Sequence, residues 1–133
     1  MNLNFVTGFP EFFDSPFETS MLRKAIKNDH VNINMFDLKD YTLDKHKTFD
    51  DEPFGGKKGM VLKPEPFYRA MKDISKRYAS HRVIQFGPEG RVFDQNLAKE
   101  LSKERAFTIA KFFAIICQIF QNQMLCFPPQ QNA

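Results

Sequence analysis

Cysteine is nearly absent. The only two, Cys117 and Cys126, lie in an apolar C-terminal stretch with no CxxC spacing and no histidine nearby, which excludes a cysteine-built metal site and a disulfide framework. The N-terminus, MNLNFVTGFP, has no basic segment, no long apolar core and no small-residue cleavage site. A cytoplasmic protein is therefore expected. Long hydrophobic runs are missing too. The most apolar tract, residues 106–127, is broken by Lys111, Gln118, Gln121, Asn122 and Gln123, so no membrane span is expected. The GxxxxGK[ST] spacing of a nucleotide-hydrolysing loop does not occur, nor does an internal repeat, and no serine or cysteine nucleophile accompanies a histidine at a telling distance.

What is present suits one globular domain. The 133 residues are 42% apolar and 26% charged, outside the composition of disordered chains. A chain of this size buries roughly two-thirds of its unfolded surface, enough for one core. The net charge of +3 permits contact with a polyanion without requiring it.

Local patterns set out an alternation of strands and helices. Residues 2–6 alternate, with Leu3 and Phe5 on one side, and run into Gly8 and Pro10, which predicts a first strand. In Ser15-Pro16-Phe17-Glu18, Ser15 suits an N-cap, Pro16 the first helical position and Glu18 a capping box, so the pattern predicts a helix to about Asn28. Residues 31–36 predict a second strand with Val31, Ile33 and Met35 on one face. No periodicity survives from Asp37 to Gly59, a charged stretch of the kind that is functional or mobile inside a compact domain.

Helical spacing returns at Phe67, Ala70, Met71, Ile74 and Tyr78 behind Pro64-Glu65-Pro66, with Arg69, Lys72, Asp73 and Lys76 opposite. Residues 82–86 predict a buried strand ending in Gly87-Pro88-Glu89-Gly90, and residues 94–104 a helix with Leu97, Ala98 and Leu101 inward. After residue 104 charge nearly vanishes; residues 107–110 read as a strand or a short helix, and no further element is assigned. The fold class is thus α/β, with a mostly parallel sheet flanked by helices.

Three segments are candidate sites, each with a plainer alternative. The Gly87–Gly90 turn follows a strand at the place where open α/β sheets bind ligands, though an ordinary strand-to-helix turn reads the same way. Residues 54–59, FGGKKG, offer main-chain amides and two cations suited to phosphate, or form a flexible charged loop. His46 among Asp44, Asp50 and Asp51 suits a general base, or a solvated loop.

Taken in order, FVTGFPEFFDSPFETSMLRKAI, VNINMFDLKDYTLDKHKTFDDEPFGG, GMVLKPEP and VIQFGPEGRVFDQNLAKELSKE resemble the bacterial tRNA (guanine-N1)-methyltransferases, enzymes of the knotted SPOUT class. The resemblance covers residues 1–104 and lies in the combination and spacing of these strings. It implies a SPOUT-type layered domain and transfer of a methyl group from S-adenosylmethionine to N1 of the guanine 3′ of the anticodon. It further implies tRNA as partner, a homodimer, Phe86, Gly87, Pro88, Glu89 and Gly90 as a wall of the cofactor pocket, and His46, Asp50, Gly55 and Gly56 near the tRNA and its target base.

The sequence also departs from that family. Where a CGHYEGIDER-like string is expected, it reads IAKFFAIICQIFQNQ. The family's later glycine-rich loop, its catalytic aspartate with a partner arginine and its C-terminal tRNA-binding domain have no counterpart. No catalytic residue and no metal ligand is therefore assigned. Residues 105–133 read as a divergent tail from a frameshift or a truncation, the trefoil knot is expected to be incomplete, and an inactive remnant with residual RNA or partner binding is the alternative function. Lys57 replaces a third glycine, which either strains the loop or adds a phosphate contact.

Overall fold

A computed structural model describes residues 1–52, 59–110 and 123–126; for residues 87–89 and 123–126 the main chain alone is described. Its strands are β1 (Asn2–Thr7), β2 (Asn32–Asp37), β3 (Asp50–Asp51), β4 (Val61–Leu62), β5 (Arg82–Val92), β6 (Ala106–Ala110) and β7 (Gln123–Cys126). The helices are α1 (Asp14–Phe17), α2 (Ser20–Lys27), α3 (Pro64–Arg77) and α4 (Gln95–Leu101), with 3₁₀ turns at Pro10–Phe13 and Leu38–Tyr41. Five strands form one sheet in the order β2-β1-β6-β5-β7, and β3 pairs with β4 in a separate hairpin. β2, β1, β6 and β5 run parallel and β7 antiparallel. The expected α/β class and mostly parallel sheet are what the chain adopts.

The sheet is buried on both faces, as parallel sheets require. On one face Val6, Phe36, Leu38, Phe49 and Leu62 pack with Ala70 and Ile74 of α3. On the other, Ile84 and Phe107 pack with Leu97 and Leu101 of α4, with Leu3 and Ile109 at the margin. Phe5 also faces this second side, its ring 5.2 Å from Phe13 and 5.4 Å from Phe17. The alternation at Leu3 and Phe5 thus marks the half-covered face, while Asn4 and Val6 hold the fully buried one. In β2 the same holds: Phe36 is buried and Ile33 and Met35 are half-buried. Asn4 and Asn34 face α3, where Asn34 Nδ2 donates to Asn4 Oδ1 at 3.1 Å and to the Tyr78 hydroxyl at 3.0 Å, which satisfies Asn4 Oδ1 in the core, whereas Asn4 Nδ2 has no partner among the described residues.

Several local expectations are corrected. Ser15 and Pro16 lie inside the short α1, without a side-chain cap, and the helix breaks at Glu18-Thr19 before α2 begins. Thr19 Oγ1 donates to the Ser15 carbonyl at 2.7 Å, and Ser20 adopts φ +49°, so the chain turns here instead of extending one helix. The α2 end falls at Lys27 with Asp29 at φ +56°; His30 N–H bonds Ala25 O and Asp29 N–H bonds Ile26 O, the paired bonds of a Schellman cap. The last helix starts as expected at Asp94, whose carboxylate accepts the Leu97 N–H at 2.7 Å, but ends at Leu101.

β5 does not stop at Gly87. Phe86 and Arg91 both pair with Met124 of β7, so Gly87–Gly90 form a wide bulge within a longer strand; the antiparallel partner that carries β5 onward lies 34 residues beyond the bulge, too far for local pattern to signal. Ala106–Ala110 form a strand and not a short helix, and this strand lies at the centre of the sheet between β1 and β5. The charged stretch after Asp37 holds a 3₁₀ turn and the β3 strand.

Candidate functional site

The site is set by strand register. Phe36, Val6, Ala110 and Gln85 form one row across four parallel strands. One residue further, at the carboxyl edge, come Asp37, Thr7 and Phe86. β6 separates β1 from β5, so Thr7 and Phe86 stand about two strand spacings, roughly 10 Å, apart. This edge is where ligands bind in open α/β sheets.

At the β1 end, Thr7 Oγ1 accepts the Phe9 N–H at 3.1 Å and bends the chain into the first 3₁₀ turn. Gly8 beside it is buried, and a Cβ built there would overlap the Phe49 ring. Phe49 also meets Phe9 edge-on, with ring centres 5.6 Å apart at 82°. Its carbonyl accepts the Lys63 N–H at 2.8 Å, next to the β3–β4 pairing of Asp50 with Leu62. Phe49 therefore anchors the charged loop to the carboxyl edge.

Within that loop Asp44 accepts the Thr48 N–H at 2.9 Å, and its carboxyl is held below the ordinary range chiefly by this bond. Lys47 sits in the turn at φ +51° and reaches Asp40 at 3.5 Å. His46 is exposed on the turn and Asp50 is half-buried in β3. Gly55, Gly56 and Lys57 lie outside the described residues.

The second 3₁₀ turn is clamped to α3. Asp37 caps it by accepting the Lys39 N–H at 2.9 Å. Arg69 Nη1 donates to the Tyr41 carbonyl at 2.9 Å, and the Tyr41 hydroxyl donates to Asp73 at 2.8 Å. Arg77 completes the set, 2.9 Å from Asp73, with its guanidinium 5.3 Å from the Phe36 ring centre. Burial, then the bond to Asp73, pushes the Tyr41 phenol up to about 12, and the Tyr41 hydroxyl holds Asp73 below its ordinary value. Sequence reasoning assigned Arg69 and Asp73 to the outer face of α3 and gave Tyr41 no role. The clue was a tyrosine four residues past a strand whose end can cap a turn.

At the β5 end, Phe86 is half-exposed and Gly90 half-buried. The register leaves Gly87–Gly90 with no residue opposite in β7. The His46–Asp50 and Phe86–Gly90 segments share the carboxyl edge, and among the described residues no hydrogen bond or ion pair joins them. A groove of about 370 Å³ runs along the outer edge of β2 and reaches the carboxyl edge at Asp37, lined also by Met35, Phe36, Asp40, Tyr41 and Arg77 among others. Among the described residues no cluster of three His, Cys, Asp or Glu side chains is placed to hold a metal, and no helix is long and apolar enough to cross a membrane.

Comparison with known proteins gives concordant results. The sequence profile described as tRNA (Guanine-1)-methyltransferase TrmD matches residues 1–118. The tRNA (guanine-N(1)-)-methyltransferase of Fusobacterium nucleatum subsp. nucleatum is 45% identical over 109 residues, covering 82% of this chain and 44% of that protein. The protein of the same name from Clostridium botulinum is 46% identical over 104 residues, covering 78% and 42%. Among solved structures, tRNA (m1G37) methyltransferase from Aquifex aeolicus superposes with a TM-score of 0.74 at 26% identity, covering 93% of this chain and 62% of that one. The chain spans less than half the length of the curated relatives it matches.

Proposed function

The chain belongs to the tRNA (guanine-1)-methyltransferase family, and from that membership we propose that it forms the first part of an enzyme moving a methyl group from S-adenosylmethionine to N1 of the guanine 3′ of the anticodon. The observation that carries this reading is the shared carboxyl edge: Phe86 and the Gly8–Phe49 contact stand on either side of β6 in one parallel sheet. On this reading a flat heterocycle would lie on the β5 side of that edge and an extruded base on the β1 side.

The bulge suits a cofactor taken up through main-chain groups, because among the described residues its four positions have no ladder partner in β7. Phe86, Gly87, Pro88, Glu89 and Gly90 would hold it, with the half-exposed Phe86 ring as an apolar wall. When bound, S-adenosylmethionine supplies an electrophilic sulfonium methyl. His46, Asp50, Gly55 and Gly56 would orient the tRNA, Asp50 from the rigid root of the hairpin and His46 from the exposed turn.

Guanine N1 carries a proton at neutral pH, so its attack on the methyl needs a base. The family's aspartate for that step has no counterpart in residues 1–104, and none of the carboxylates described above takes its role. On this reading these 133 residues, taken alone, hold the cofactor through the bulge and transfer no methyl group. Homodimerisation and a cytoplasmic location are part of the same proposal.

Calorimetry on the full chain with S-adenosylmethionine, beside a labelled-methyl assay on unmodified tRNA, tests both statements. Saturable heat with no transferred label is the expected result. No binding heat would remove the cofactor assignment and leave the RNA-binding remnant, and transferred label would overturn the claim of inactivity.

A further inference from the structure

We propose that Phe9 is a stacking platform for an unpaired nucleobase of the RNA substrate, a role that rests on the tRNA reading above and adds a binding residue to it. Large apolar side chains at a strand end are normally buried, yet Phe9 is 61% exposed, and Phe12 three residues on is 76% exposed. The Phe9 ring is nevertheless held. Its N–H is bonded to Thr7 Oγ1, its carbonyl accepts the Phe12 N–H at 3.3 Å, and Phe49 buttresses it edge-on. An exposed ring with a fixed root loses little freedom when a planar ligand settles on it.

Its position adds direction. Phe49, the ring that supports Phe9, directly precedes Asp50 and anchors the loop that would face tRNA. Lys39 lies with its ammonium 5.5 Å from the Phe9 ring centre and makes no ion pair among the described residues. The carboxylates around it have other partners: Asp37 caps the turn, Asp40 pairs with Lys47 and Asp44 holds Thr48. Such a cation beside an exposed, rigid aromatic is the combination by which single-stranded nucleic acids are held, the ring taking the base and the ammonium the adjoining phosphate.

The test uses the absence of tryptophan from this chain. Phe9→Trp introduces a sole indole whose emission reports stacking, and binding is followed with an anticodon stem-loop RNA and a blunt duplex of the same stem. Expected results are quenching of that indole emission by the stem-loop and not by the duplex, weakening of stem-loop binding by about 5- to 150-fold in Phe9→Ala, retained affinity in Phe9→Trp, and no rescue in Phe9→Leu. Leucine keeps an apolar contact with Phe49 but has no face for a base. Full rescue by leucine would show apolar packing and overturn the platform. Wild-type stem-loop binding with unchanged affinity in Phe9→Ala and unquenched emission in Phe9→Trp would overturn the inference and leave the tRNA reading intact. Absence of stem-loop binding by the wild-type chain would overturn both.

Discussion

Gly8 shows how a single residue fixes the candidate site. It is buried between the end of β1 and the Phe49 ring, and its missing side chain is the space that the ring fills. Gly8→Ala forces Phe49 to move in a packed interior, at a cost of about 1–3 kcal/mol, offset only in part by the lower entropy of the unfolded chain. The urea midpoint should fall accordingly, and Gly8→Ala combined with Phe49→Leu should recover part of the loss; an unchanged midpoint in Gly8→Ala would show that Phe49 is not held there. At this scale the sequence was partly legible. The last helix opens at Asp94, where the pattern placed its start, because the cap there is a bond between residues three apart. Gly8 read only as a turn residue, because its constraint comes from a ring 41 positions away.

At the scale of elements, the joint between the second 3₁₀ turn and α3 carries the charged loop. The bond from Tyr41 to Asp73, with Arg77 alongside, makes this joint sensitive to pH at both extremes. Asp73 is held below its ordinary 3.8 by the Tyr41 hydroxyl first and Arg77 second, so its contribution is present above that value and is lost as pH falls through the lower folded value. Tyr41 is raised from 10.0 to about 12, so its contribution is present below 10.0 and is lost as pH rises towards about 12. Tyr41→Phe should lower stability at neutral pH by about 1 kcal/mol and flatten both limbs, measured by urea unfolding at acid, neutral and alkaline pH. If both limbs persist in Tyr41→Phe, other groups produce them. Element identity was mostly legible, since α3 starts and ends near its proline pair and its last apolar position. The Gly87–Gly90 bulge was not, because the strand continues only through pairing with β7, and neither was the break before α2, where Thr19 bonds back to the Ser15 carbonyl and Ser20 adopts a positive φ.

For the molecule as a whole, the two faces of the sheet are covered unequally. α3 closes one face, whereas α2 buries none of its residues, and Met21 is 80% and Leu22 46% exposed on it. Exposed apolar surface of this kind drives association. The chain should bind a dye such as ANS in its folded state and self-associate as concentration rises, and Met21→Lys with Leu22→Glu should reduce both without lowering the thermal midpoint; dye binding that the double substitution leaves unchanged would place the sticky surface elsewhere. The sequence by itself determined the alternation of strands and helices, the amphipathic face of α3 and the family to which the chain belongs. These are written in periods and spacings of a few residues, where local geometry and side-chain hydrophobicity act together. Only the tertiary structure decided that β6 lies between β1 and β5, that Gly87–Gly90 bulge from a continuing strand, and that Phe9, Phe49 and Lys39 meet at the carboxyl edge. Those outcomes depend on strand order and register, which arise from contacts between residues tens of positions apart and leave no periodic trace in the chain.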